Sequence, residues 1–86
     1  MHRTTDRFWK YFEKLPEPTQ GLARQNFELL KADPRHPSVH FKKIGKFWSV
    51  RVGLDYRALA VEDEEDFIWV WIGSHDEYER MIKEMG

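Results

Sequence analysis

Apolar residues keep a helical spacing up to about residue 32, alternate along strands from about residue 39, and return to helical spacing after Ser74. Phe8, Phe12 and Leu15 fall at i, i+4 and i+7, with Thr4, Thr5 and Asp6 ahead of them as caps. The spacing predicts an amphipathic first helix ending before Pro16. Pro16-Glu17-Pro18 interrupts the chain, and from Thr19 onward Ala23, Phe27 and Leu30 share a face. A second helix is predicted to about Ala32, stopped by Asp33-Pro34, because the residue before a proline is driven away from helical backbone. So short a break predicts an antiparallel helical hairpin.

Val39 and Phe41 then alternate with His40 and Lys42, which predicts a short strand closed by the Gly45-Lys46 turn. Trp48, Val50 and Val52 alternate with Ser49 and Arg51. Tyr56, Ala58 and Ala60 alternate with Arg57, Leu59 and Val61. Gly53-Leu54-Asp55 supplies turn chemistry between the two runs, so they read as a β-hairpin. Glu62-Asp63-Glu64-Glu65-Asp66 is predicted to be a solvated tip. Phe67-Ile68-Trp69-Val70-Trp71-Ile72 is apolar at every position, as in a central strand covered on both faces, with Gly73 ending it. Ser74-His75-Asp76-Glu77 has the form of a capping box, and Tyr78, Met81, Ile82 and Met85 keep helical spacing behind it. The order is α+β: an N-terminal helical hairpin packed on an antiparallel sheet of about four strands, with a short C-terminal helix, in one domain spanning 1–86.

Composition narrows the chemistry. With 86 residues the core is small, so the 15% aromatic content carries much of its buried area. Cysteine is absent, which removes disulfides and thiolate metal sites and fits a reducing cytoplasm. No apolar run approaches the ~18 residues that span a bilayer and no signal peptide is evident, so a cytoplasmic protein without a membrane partner is expected. The formal net charge of −1 conceals a segregation. Between Pro34 and Val61, Arg35, Lys42, Lys43, Lys46, Arg51 and Arg57 stand against Asp55 alone, a region able to attract phosphate. Between Glu62 and Glu79 acids stand without a lysine or arginine.

No Gly-rich phosphate loop and no nucleophile-elbow serine occurs. His36 and His40 are four apart, but Pro37 between them spoils a helical ligand pair, so neither a metal nor another cofactor is expected. Two arginines inside an apolar hairpin are the anomaly, since a buried unpaired charge is costly. Arg51 and Arg57 can hold a phosphate through paired donors, or meet Asp55 and the acidic segment in salt bridges. His75, where the most apolar strand meets a helix N-terminus, suits proton transfer near neutral pH. It equally suits an ordinary exposed position in a first helical turn.

Trp48-Ser49-Val50-Arg51-Val52, followed by Tyr56-Arg57-Ala58-Leu59 and Ile72-Gly73-Ser74-His75-Asp76-Glu77-Tyr78, resembles the RelE/ParE superfamily of bacterial type II toxin–antitoxin toxins. Asn26 to Ser38 looks like that family's second helix and its exit loop, so the resemblance runs over most of residues 8–80. It implies a ribosome-dependent endoribonuclease, an mRNA interferase that inhibits translation. In that reaction the RNA 2′-hydroxyl attacks the adjacent phosphate without a metal. It further implies Arg57 as the phosphate-stabilising arginine, His75 as the proton-transfer group and Arg51 as a second arginine at the phosphate. Lys42, Lys43 and Lys46 would bind RNA backbone, and Tyr78 would stack on a base. The implied partners are a cognate antitoxin, the ribosome and mRNA. RelE-type ribonucleases carry lysines where this chain has Trp48 and Val50, which motivates one alternative, a ParE-like inhibitor of DNA gyrase; the weak basic character motivates another, an inactive relative that binds proteins. Only Met1 to Thr5 precede the first helix, which leaves the family's N-terminal strand nearly absent.

Overall fold

The computed structural model describes residues 1–85. Its first strand, β1 (His2–Thr4), pairs parallel with the last strand, so the N-terminal segment expected to be too short for a strand forms one. Its register is held at the start by Met1, whose ammonium donates to the Glu65 carbonyl at 3.1 Å, and by a hydrogen bond from Trp69 Nε1 to His2 Nδ1 at 3.1 Å. Thr5 caps α1 (Asp6–Glu13): its Oγ1 accepts from the Phe8 N–H at 3.1 Å and donates to the Trp69 carbonyl at 3.1 Å. One hydroxyl thus satisfies an orphan helix donor and ties the helix start to the sheet.

α1 stops at Glu13 in a tighter turn, with the Leu15 N–H donating to Phe12 O. α2 (Glu17–Ala32) begins two residues before the expected Thr19, because Pro18 is preorganised for a first helical turn. Gln20 Nε2 donates to the carbonyls of Phe12 and Leu15, so the side chain of one helix satisfies the free end of the other.

The remaining strands are β2 (Lys42–Ile44), β3 (Phe47–Val52), β4 (Tyr56–Asp63) and β5 (Asp66–Ser74), followed by α3 (His75–Met85). The five-stranded sheet has the order β1-β5-β4-β3-β2, antiparallel except at β1. Three boundaries differ from the sequence pattern. The strand expected from Val39 begins at Lys42, because His40 takes a left-handed φ of +45° that breaks extended backbone. The acidic tip narrows to Glu64-Glu65, since β4 and β5 extend to Asp63 and Asp66. Gly73 does not end its strand. It lies inside β5 with the Trp71 indole folded over it, in space that a Cβ would enter.

The sheet has a layer on each face. Against α1 and α2 lie Val50, Val52, Ala58, Ala60, Trp69 and Ile72, with Phe12, Ala23 and Leu30 of the helices. Against α3 lie Leu59 and Trp71, with Tyr78 and the partly buried Met81 and Ile82. The docking expected of Met85 falls outside the described side chains. Trp69 and Trp71 are two residues apart and yet serve opposite layers. A β-bulge explains this: Leu59 pairs with Trp71 and Ala60 with Trp69, leaving Val70 as the extra residue.

Candidate functional site

The β3–β4 register brings Arg51 directly opposite Arg57, with Gly73 of β5 next in the same row. The facing follows from alternation. Arg57 lies two residues before Leu59, which packs under Tyr78 of α3, and Arg51 lies two residues after Ser49, the cross-strand partner of Leu59. Both guanidiniums therefore stand on the α3 side of the sheet, at the end bearing the Gly53-Leu54-Asp55 turn. Gly53, at φ +63°, makes that turn and packs against Leu22 of α2. The backbone of Arg51 is clamped twice: its N–H donates to Val39 O at 2.7 Å, and its carbonyl accepts from Asn26 Nδ2 at 2.9 Å.

Neither arginine forms a salt bridge among the described residues. The acidic tip sits at the far end of β4 from Arg57, where Glu62 accepts instead from Trp48 Nε1. Arg57 donates through Nη1 to the Tyr56 carbonyl at 2.7 Å. Burial, and then the like charge of Arg51, lower its pKa from the ordinary guanidinium value, while Tyr78, Glu79 and Asp55 partly offset them. A guanidinium remains charged under such a shift. Arg51 Nε is buried without a partner, and its Nη1 lies 3.3 Å from His40 Nε2. Two adjacent cations with spare donors and no carboxylate across from them form an anion-binding pair.

The capping box sets His75 at the start of α3, against the turn that joins the strands of this pair. Ser74 Oγ accepts from the Glu77 N–H at 3.2 Å, Glu77 Oε1 accepts from the Ser74 N–H at 3.2 Å, and the His75 N–H donates to Asp55 O at 2.7 Å. The start of α3 is thereby fixed to the β3–β4 turn. The His75 imidazole is half-exposed, with Nε2 3.1 Å from Glu79 Oε1 one turn along the helix.

The other expected site residues divide. Lys42 pairs with Ser49, which puts it on the face of the two arginines, whereas Lys43 pairs with Trp48 and faces the α1/α2 side. Lys46 precedes β3, with its ammonium over the Phe47 ring, about 16 Å along the strand from Arg51. Tyr78 is 4% exposed and packed against Leu59 and Trp71, so its ring is committed to the core and is not offered to a base. Trp48 and Val50 face the α1/α2 layer, where Val50 is buried and Trp48 stacks on Phe41. Their apolar character is core chemistry, since the β3 residues that face the site are Ser49 and Arg51. His40 and Glu79 join the site unannounced by the sequence pattern. His40 lies eleven residues from the arginine it touches, and Glu79 reads as one more acid of a solvated helix face.

A cavity of about 310 Å³ opens on the other face, between α1, α2 and the sheet, lined by Phe8, Phe12, Phe27, Leu30 and Trp69. It contains none of the site residues. Among the described residues no three His, Cys, Asp or Glu side chains cluster as a metal site would require, and no helix is long and apolar enough to cross a membrane.

Comparison with known proteins gives the fold a family. The model of the ParE-like toxin domain matches residues 20–80. Among solved structures, the RelB–RelE antitoxin–toxin complex of Methanococcus jannaschii aligns with a TM-score of 0.72 at 14% identity, covering 92% of this chain and 96% of that one. YafQ of E. coli aligns at 0.67 and 12% identity, covering 91% and 96%, and the isolated E. coli RelE toxin at 0.63 and 13%, covering 100% and 98%. No curated protein sequence matches. At such identities the structures speak for the fold, while the domain match spans well over half of the chain. The chain belongs to the ParE-like toxin domain family, within the RelE/ParE superfamily of toxins of toxin–antitoxin systems.

Proposed function

We propose that this toxin cleaves messenger RNA on the ribosome, with the Arg51–Arg57 pair holding the scissile phosphate. The observation that carries the reading is the pair itself: two guanidiniums directly opposed across β3 and β4, with no carboxylate partner among the described residues. Such a pair costs free energy in the free protein, and a bound phosphate diester relieves the cost by supplying the missing charge. In the reaction the RNA 2′-oxygen forms a bond to phosphorus while the bond from phosphorus to the 5′-oxygen breaks. His75 accepts the 2′-hydroxyl proton, and the departing 5′-oxygen takes a proton from solvent. Arg57 and Arg51 stabilise the negative charge that grows on the phosphorane oxygens. The products are a 2′,3′-cyclic phosphate and a 5′-hydroxyl. Lys42, on the same face, extends the positive surface along the RNA backbone.

The archaeal relative was crystallised as an antitoxin–toxin complex, and a cognate antitoxin is the proposed protein partner here as well. Expression without an antitoxin should arrest growth, and purified protein should cut ribosome-bound messenger. Arg57→Ala and His75→Ala should each slow cleavage about 100-fold or more, the loss typical of a transition-state charge or proton-transfer group. Undiminished cleavage in either variant would remove that residue from the mechanism. Growth arrest with intact messenger and inhibited DNA gyrase would replace the reading altogether.

A further inference from the structure

His40 contributes nothing to the chemistry above, although its imidazole is within hydrogen-bonding distance of the free end of Arg51. The Nε2 to Nη1 separation is 3.3 Å. A guanidinium has donors and no acceptor, so the ring nitrogen must accept, and the ring proton then resides on Nδ1. This is the only side-chain hydrogen bond to the Arg51 head group among the described residues, since Nε is buried without a partner. The backbone presents the ring with unusual insistence. His40 holds a left-handed φ of +45°, a region non-glycine residues rarely adopt, two residues before β2. The preceding Val39 is fully buried and accepts from the Arg51 N–H, which keeps that conformation in place.

We infer that His40 is a positioning residue for the anion-binding pair. As a neutral acceptor it draws the Arg51 guanidinium toward the β2 edge and away from Arg57, leaving between the two head groups a gap that a phosphate fills. A carboxylate at position 40 would orient Arg51 equally well but would neutralise it and compete with the phosphate. A lysine would repel it. A neutral imidazole orients without quenching the charge. The inference rests on the reading of the pair as a phosphate clamp.

Two measurements test it, neither needing cleavage. Long-range proton–nitrogen NMR of the free protein should find His40 as the Nδ1–H tautomer, and an Nε2–H tautomer would overturn the assignment. Titration with inorganic phosphate, followed at the Arg51 Nε resonance, should then be compared across variants. His40→Gly suits a left-handed φ and deletes only the acceptor, so it should fold at least as stably while binding phosphate about five-fold more weakly. His40→Asn or His40→Gln should restore binding to within about two-fold, because each returns a side-chain oxygen acceptor. If His40→Gly leaves binding unchanged while Arg51→Met abolishes it, His40 does not position Arg51. Failure of both amide variants to restore binding would make the effect structural and end the proposal. Phosphate binding that survives Arg51→Met and Arg57→Met alike would overturn the clamp itself.

Discussion

Replacing Arg51 with methionine should make this protein more stable and less active at once. Methionine keeps an unbranched apolar stem of similar length and removes the charged head. Three effects contribute to the stability change. Arg51 Nε is buried without a partner, and an unsatisfied buried donor costs about 1–3 kcal/mol, which the substitution returns. Arg57 stands directly opposite, and like charges in a cross-strand pair destabilise by up to about 1 kcal/mol, which is also relieved. Against these stands the lost hydrogen bond to His40, which at 3.3 Å and partial exposure is worth about 0.5–1 kcal/mol. The net gain is about 1–2 kcal/mol, which for a chain of this size raises Tm by about 5–15 °C. Urea unfolding followed by tryptophan fluorescence reads this directly, because Trp69 and Trp71 are buried on opposite faces of the sheet. The midpoint should rise by about 0.5–1 M with an unchanged slope. A variant less stable than the native chain by about 1 kcal/mol or more would mean that Arg51 is held by a structural interaction rather than kept exposed to an anion at a cost to the fold.

Two further outcomes follow from the packing. Gly73→Ala places a methyl group into the Trp71 indole and should destabilise by about 1–3 kcal/mol, measured by the same unfolding curves; a neutral result would mean that the indole does not lie across β5. His2 accepts a hydrogen bond from the Trp69 indole, and burial, then the N-terminal ammonium and Lys31, lower its pKa below the usual 6.5. The unfolded chain therefore takes up a proton first, so the His2 contribution is complete above about pH 6.5 and is lost as pH falls through that value toward the lower folded-state pKa. Urea midpoints at pH 7.5, 6.5 and 5.5 should fall more steeply for the native chain than for His2→Gln, and parallel profiles would contradict the assignment.

Much of this arrangement is written locally. The helical spacing of Phe8 and Phe12 and the Ser74–Glu77 capping box each depend on neighbours within one turn, and each forms where the pattern placed it, while α2 starts two residues before the expected Thr19. The arginine pair is legible too, since a three-residue turn of Gly53-Leu54-Asp55 sets Val52 opposite Tyr56 and so Arg51 opposite Arg57. What remained hidden depends on distant partners. β1 has three residues and a parallel partner more than sixty positions away, so no local propensity marks it. The Val70 bulge separates Trp69 from Trp71 without altering the apolar run that contains them. His40 acquires its role from a backbone turn that the alternation of Val39 and Phe41 masks. Tyr78 carried a warning in its own spacing with Met81 and Ile82, the pattern of a residue facing the core.

In the proposed reaction the arginine pair and His75 drive attack by an RNA 2′-hydroxyl. The most direct test is single-turnover cleavage of messenger bound to ribosomes, with chemical identification of both new ends. The expected ends are a 2′,3′-cyclic phosphate and a 5′-hydroxyl, formed about 100-fold more slowly by Arg57→Ala. Messenger left intact by the native protein, or cut to leave a 5′-phosphate, would contradict it.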